Sequence, residues 1–66
     1  MTKQEAIQMM IKGKKVTHRY FSPNEWITVD KGKFLFEDGV KCSFNEFWAD
    51  RRQQFWETDW EIFTGN

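Results

Sequence analysis

The residues best suited to chemistry lie between Lys14 and Trp26. Lys14, Lys15, His18 and Arg19 stand close to Tyr20, Phe21 and Trp26 in the run KKVTHRYFSPNEW. Cationic side chains hold phosphates, and flat rings stack on bases. This mixture suits a nucleotide or a short single strand. Lys15, His18 and Arg19 would donate to phosphate, Phe21 and Trp26 would stack on a base, and Asn24 would read an edge. A structural role accounts for the same residues in another way. Lysines near a helix C-terminus favour its dipole and can lay their stems on apolar surface, while the rings fill a core.

A second set is acidic. Glu57, Asp59 and Glu61 alternate, which places them on one face of a strand. Paired carboxylates can do acid–base work. Alternating acids more often form a solvated strand face and discourage edge-to-edge pairing. Together with Trp56 they offer an alternative partner surface, whose charge would mimic that of a nucleic acid. The chain has no glycine-rich phosphate loop and no Cys–His pairing at motif spacing. Its single cysteine (Cys42) and single histidine (His18) cannot supply the four ligands of a zinc site. The expectation is a binding protein, not an enzyme, without cofactor or metal.

Composition bounds what can position these residues. A chain of 66 residues makes one domain. At that size only roughly 60% of the unfolded surface is buried, so the core is marginal. Seven Phe, four Trp and one Tyr supply large rings to build it. They also exceed what one small sheet face can hide, so some rings are expected to meet a ligand or another subunit. A lone cysteine points to a reducing compartment. There is no apolar run of membrane length and no signal-peptide h-region, which together give a cytoplasmic expectation with no membrane partner. Net charge is zero, which argues against general nucleic-acid binding. Residues 1–33 nonetheless carry +4 and residues 34–66 carry −4. Such halves can pair within one fold or between copies.

The elements follow from pattern. Thr2 and Glu5 have capping-box spacing, Ala6, Ile7, Met10 and Ile11 form one apolar stripe, and Gly13 suits a helix stop. This predicts a helix over about 3–12, its stripe in the core. KKVTHR suits a short strand, and FSPNE a turn. EWITVD alternates, with Trp26 and Thr28 on one face and Ile27 and Val29 on the other. DKGK reads as a tight hairpin turn, KFLFE as the return strand, and EDGV as a second turn. Ser43 and Glu46 repeat the capping-box spacing and predict a short helix over roughly 44–50. FWETDWEIF alternates as a half-buried strand, with Trp56, Thr58, Trp60 and Ile62 on one side. The order α-β-β-β-(short α)-β implies an α+β fold, with the N-terminal helix packed on an antiparallel sheet of about four strands.

Both ends of this layout resemble a known family. Glu5-Ala6 in the first helix, then Gly13 to Val16, Arg19 and Phe21, and finally Asp59-Trp60-Glu61-Ile62 are similar to the small phage proteins of the second Thoeris anti-defence family. Phe21 and Ser22 stand where that family commonly has Trp and Asn. The resemblance implies an α+β homo-oligomer that binds a cyclic ADP-ribose-type or cyclic-dinucleotide immune signal at subunit interfaces, without chemistry on the ligand. It would act in the cytoplasm of the host cell. The alternative expectation is a small inhibitor that docks directly on a host defence or nucleic-acid-processing protein.

Overall fold

The computed structural model describes residues 1–65. Helix α1 runs Lys3–Ile11, followed by strands β1 (Val16–His18), β2 (Ile27–Asp30), β3 (Lys33–Phe36) and β4 (Lys41–Cys42). Helix α2 (Phe44–Ala49), a 3-10 turn (Gln54–Glu57) and strand β5 (Trp60–Ile62) complete the chain. All pairings are antiparallel, in the order β4-β3-β2-β1-β5. The fold is therefore α+β, as the pattern predicts. The sheet has five strands, because the Asp38-Gly39 turn returns a two-residue strand that the pattern alone does not announce.

Both helices begin as their sequences dictate. Thr2 accepts from the Glu5 N–H while the Glu5 carboxylate accepts from the Thr2 N–H. Ser43 and Glu46 repeat the exchange for α2. These bonds satisfy donors that a helix start leaves unpaired. Gly13 follows the end of α1 with φ +90°, a conformation that a side chain would strain.

Register divides the sheet into two faces. Val16, His18, Ile27, Val29, Phe34, Phe36, Trp60 and Ile62 share one face by their pairings. Ala6 and Met10 of α1 and Phe47 of α2 join Val16, Ile27, Phe34 and Trp60 in the buried core. The apolar stripe of α1 is split, however. Ile7 is only half-buried, and Ile11 keeps 62% of its surface exposed. The other sheet face presents Thr17, Thr28, Leu35 and Glu61, and neither helix covers it.

Strands β1 and β2 meet at one register pair, Val16 with Ile27. Two threonine hydroxyls reinforce that junction. Thr17 Oγ1 donates to the Glu25 carbonyl at 2.8 Å, and Thr28 Oγ1 to the Lys14 carbonyl at 2.7 Å. At the far edge, Met1 exchanges backbone bonds with Trp60, which covers part of β5.

Residues 55–59 depart from the strand expected over FWETDWEIF. Residues 54–57 form the 3-10 turn, Asp59 takes φ +67°, and only residues 60–62 pair with β1. The physical reason is a set of bonds made across the core. The indole N–H of Trp60 donates to the Trp56 carbonyl at 2.7 Å, and His18 holds the carbonyls of Phe55 and Thr58. An extended strand would send those carbonyls to a neighbouring strand instead.

Candidate functional site

The sequence-predicted ligand residues divide between three places. Lys15 and Trp26 come together on the uncovered sheet face. The Lys15 ammonium lies 4.3 Å from the centroid of the Trp26 ring, and Phe63 lies 6.4 Å away between ring centroids. Trp26 and Phe63 are half-buried and Lys15 is exposed. This is a cation over an indole beside a second ring, open to solvent. The terminal alternation sets Phe63 on the side opposite Trp60 and Ile62. Its neighbour could not be read from sequence, because β1 separates β5 from β2.

His18 and Phe21 turn inward. His18 is only 3% exposed. Its Nδ1 accepts the N–H of Tyr20 at 3.1 Å, and its Nε2–H is shared between the carbonyls of Phe55 at 3.0 Å and Thr58 at 2.8 Å. A backbone N–H can only donate and carbonyls can only accept, so this set fixes the neutral Nε2–H tautomer. Both ring nitrogens are thereby engaged, and the expected donation to phosphate has no free N–H to supply it. Phe21 packs edge-on against Trp60, with centroids 5.6 Å apart. His18 and Phe21 therefore pack with Trp56 and Trp60, away from the Lys15–Trp26 pair.

Arg19 and Asn24 stay accessible. Asn24 is exposed on the turn held by the Ser22 and Glu25 backbone and side chains. Arg19 faces Asp59 at 3.9 Å, with side chains 70% and 44% exposed. An exposed contact of that length holds neither partner firmly.

The acidic surface does not assemble as the alternation predicts. Glu57 sits in the 3-10 turn and pairs with Lys3 at 3.6 Å. Asp59 faces Arg19, and Glu61 lies opposite Thr17 on the uncovered sheet face. The three carboxylates share no strand face, because 54–59 is not a strand. Trp56 is half-buried and rests 4.3 Å from the His18 ring between centroids. Two of the three ion pairs among the described residues join the basic first half to the acidic second half, so the halves pair within one fold.

Sequence reasoning missed one exposed feature. Tyr20 and Phe55 meet edge to face at 4.8 Å while remaining 59% and 41% exposed. Their contact depends on the His18 bonds that bring residues 20 and 55 to one rim.

Cys42 is half-buried, and burial, with Glu46 nearby, pushes its thiol up, away from the reactive thiolate. Among the described residues, no three His, Cys, Asp or Glu side chains gather as a metal site requires. No described helix is long and apolar enough to cross a membrane. No family model, curated protein or solved structure matches the chain.

Proposed function

We propose that this is a non-catalytic binding protein that sequesters a cyclic nucleotide immune signal, as the phage counter-defence proteins resembled by its two ends would. The observation that carries the reading is the Lys15–Trp26 pair on the uncovered sheet face, with Phe63 beside it. A base would stack on the indole, and Lys15 would leave the ring to meet phosphate. Arg19 and Asn24 are accessible and able to add donors, whereas His18 and Phe21 hold the strand and turn in place. One copy offers an open face, so enclosure of a ligand calls for a second copy across it, in keeping with a homo-oligomer.

The test is a thermal-shift panel of cyclic ADP-ribose isomers and cyclic dinucleotides, with recovery of the intact ligand after denaturation. The expected result is a concentration-dependent rise in Tm with one of them, lost in Trp26→Ala and Lys15→Ala. No rise with any member overturns the reading.

A second reading, direct inhibition of a host protein, draws on the exposed Tyr20–Phe55 pair with Arg19 at its edge. Tyr and Arg are the residue types that dominate binding energy at interfaces. Stoichiometric capture of one host protein, lost in Tyr20→Ala, is the outcome that would favour it.

A further inference from the structure

The uncovered sheet face carries two opposite charges that find no ionic partner within the described chain. Lys15 and Glu61 are both exposed there, and neither enters an ion pair among the described residues. Nearby charges have partners of their own. Arg19 faces Asp59 at 3.9 Å, and Asp30 accepts from Lys41 at 2.9 Å. The rings of this face, Trp26 and Phe63, are half-buried, with no helix over them.

Register fixes how these four residues lie. Val16 pairs with Ile27 on one side and with Ile62 on the other. Thr17 therefore stands between Trp26 and Glu61, and Lys15 between Thr28 and Phe63. A line from Trp26 to Phe63 crosses β1 between residues 15 and 17. Lys15 lies on one side of that line and Glu61 on the other. The two rings lean together along it, with centroids 6.4 Å apart.

We propose, resting on the homo-oligomeric reading of this face above, that it binds a second copy of the chain in a symmetric dimer whose two-fold axis runs along the Trp26–Phe63 line. Rotation about that axis sets Trp26 against Trp26 and Phe63 against Phe63. It also sets Lys15 of each copy against Glu61 of the other. Charge selects this occupant. A surface of one sign would satisfy one of the two groups and repel the other. A second copy satisfies both, twice over. Lys15 has only to swing from the indole, and the phosphate of a bound nucleotide would compete with Glu61 for it. The sheet edges offer no comparable contact, because Met1 covers part of β5 and the β4 edge is two residues long. The contact uses only β1, β5 and the residue before β2. It therefore belongs with the small, weak interfaces, below about 1,200 Å² in total.

The experiment is sedimentation equilibrium of the whole protein without nucleotide, at low salt and over a range of concentrations. It compares wild type with Lys15→Glu, Glu61→Lys and the double exchange Lys15→Glu/Glu61→Lys. A reversible monomer–dimer equilibrium with no larger species is expected in wild type. Each single substitution sets like charges together at both contacts and should raise the dimer Kd by about five- to thirtyfold. The double exchange restores opposite charges and should bring Kd back towards wild type, which also shows that both substitutions are compatible with the fold. A wild type that stays monomeric, growth beyond a dimer, single variants equal to wild type, or a double variant no tighter than the single ones would overturn the proposal. These outcomes separate from those of the nucleotide panel. A monomeric chain that still gains Tm with a nucleotide would keep the proposed function without this interface. A dimer that gains none would keep the interface alone.

Discussion

Tyr20 donates its backbone N–H to Nδ1 of His18, two residues earlier, at 3.1 Å. That bond, with the Nε2–H shared by Phe55 and Thr58, makes one imidazole the junction of three segments: β1, the turn after it and the 3-10 turn. One of the three residues expected to donate to phosphate therefore acts as a backbone clamp. A leucine in its place would leave one donor and two acceptors without their partner. At about 1–3 kcal/mol for a group left buried and unsatisfied, His18→Leu should cost roughly 3 kcal/mol or more. Urea unfolding should show a lower midpoint with an unchanged slope. The ¹⁵N shifts of the wild-type ring should report the Nε2–H tautomer, and an Nδ1–H ring would contradict the clamp.

Trp60 makes the matching bond from the opposite strand. Its ring is fully buried, and its N–H reaches the Trp56 carbonyl at 2.7 Å. Trp60→Phe removes the donor and leaves space that neighbours fill only in part. The expected loss is about 2–4 kcal/mol, a large share of the total stability of so small a chain. Near-ultraviolet circular dichroism and urea unfolding would check this, and a loss below about 1 kcal/mol would mean that the indole bond contributes little.

These two residues also show how far the sequence reaches. Much of the local structure was legible. Both capping boxes, the Gly13 stop and the hairpin turns follow from residues three or four apart, and the structure contains each of them. The division of β2 was legible too, since alternation separates Ile27 and Val29 from Trp26 and Thr28; that Ile27 faces the core comes from the structure. What period alone could not reveal is a bond between residues some forty positions apart. The carbonyls of Phe55 and Thr58 bend 55–59 out of a strand because His18 takes them. The alternation of FWETDWEIF, equally good for a strand, cannot register that competitor. The candidate site shares this limit. Lys15 and Trp26 were named together, but Phe63 joins them only through the strand order. The stripe of α1 suggested a continuous core contact. Only its Ala6–Met10 side is buried, and Ile7 and Ile11 instead line an apolar groove shared with Phe44 and Trp48.

The β2–β3 turn carries a local conflict that can be relieved. Its two central residues, Lys31 and Gly32, have φ +52° and +79°. Such a turn matches the twist of the strands but favours Asn-Gly, since a lysine pays sterically for positive φ. Lys31→Asn should stabilise the protein by about 0.5–1 kcal/mol, which at this chain length raises Tm by a few degrees. Calorimetry would decide it.

Asp30 gives a dependence on pH. Lys41 bonds to its carboxylate at 2.9 Å and, with its charge, holds the group below the ordinary aspartate range. A depressed folded-state value means that the folded protein favours the ionised form. The resulting stability is fully present above the unfolded-state value, about 3.9. It disappears as pH falls through the lower folded value, where both states are protonated. Because Asp30 is solvent-accessible, the effect is modest and weakens with salt. An NMR titration of the Asp30 carboxyl should give a midpoint below the usual one in wild type and close to it in Lys41→Ala. Urea midpoints taken at pH 5.5 and pH 3 should therefore differ less in Lys41→Ala than in wild type. Identical differences in the two proteins would show that the bond between β2 and β4 across β3 adds nothing to the sheet.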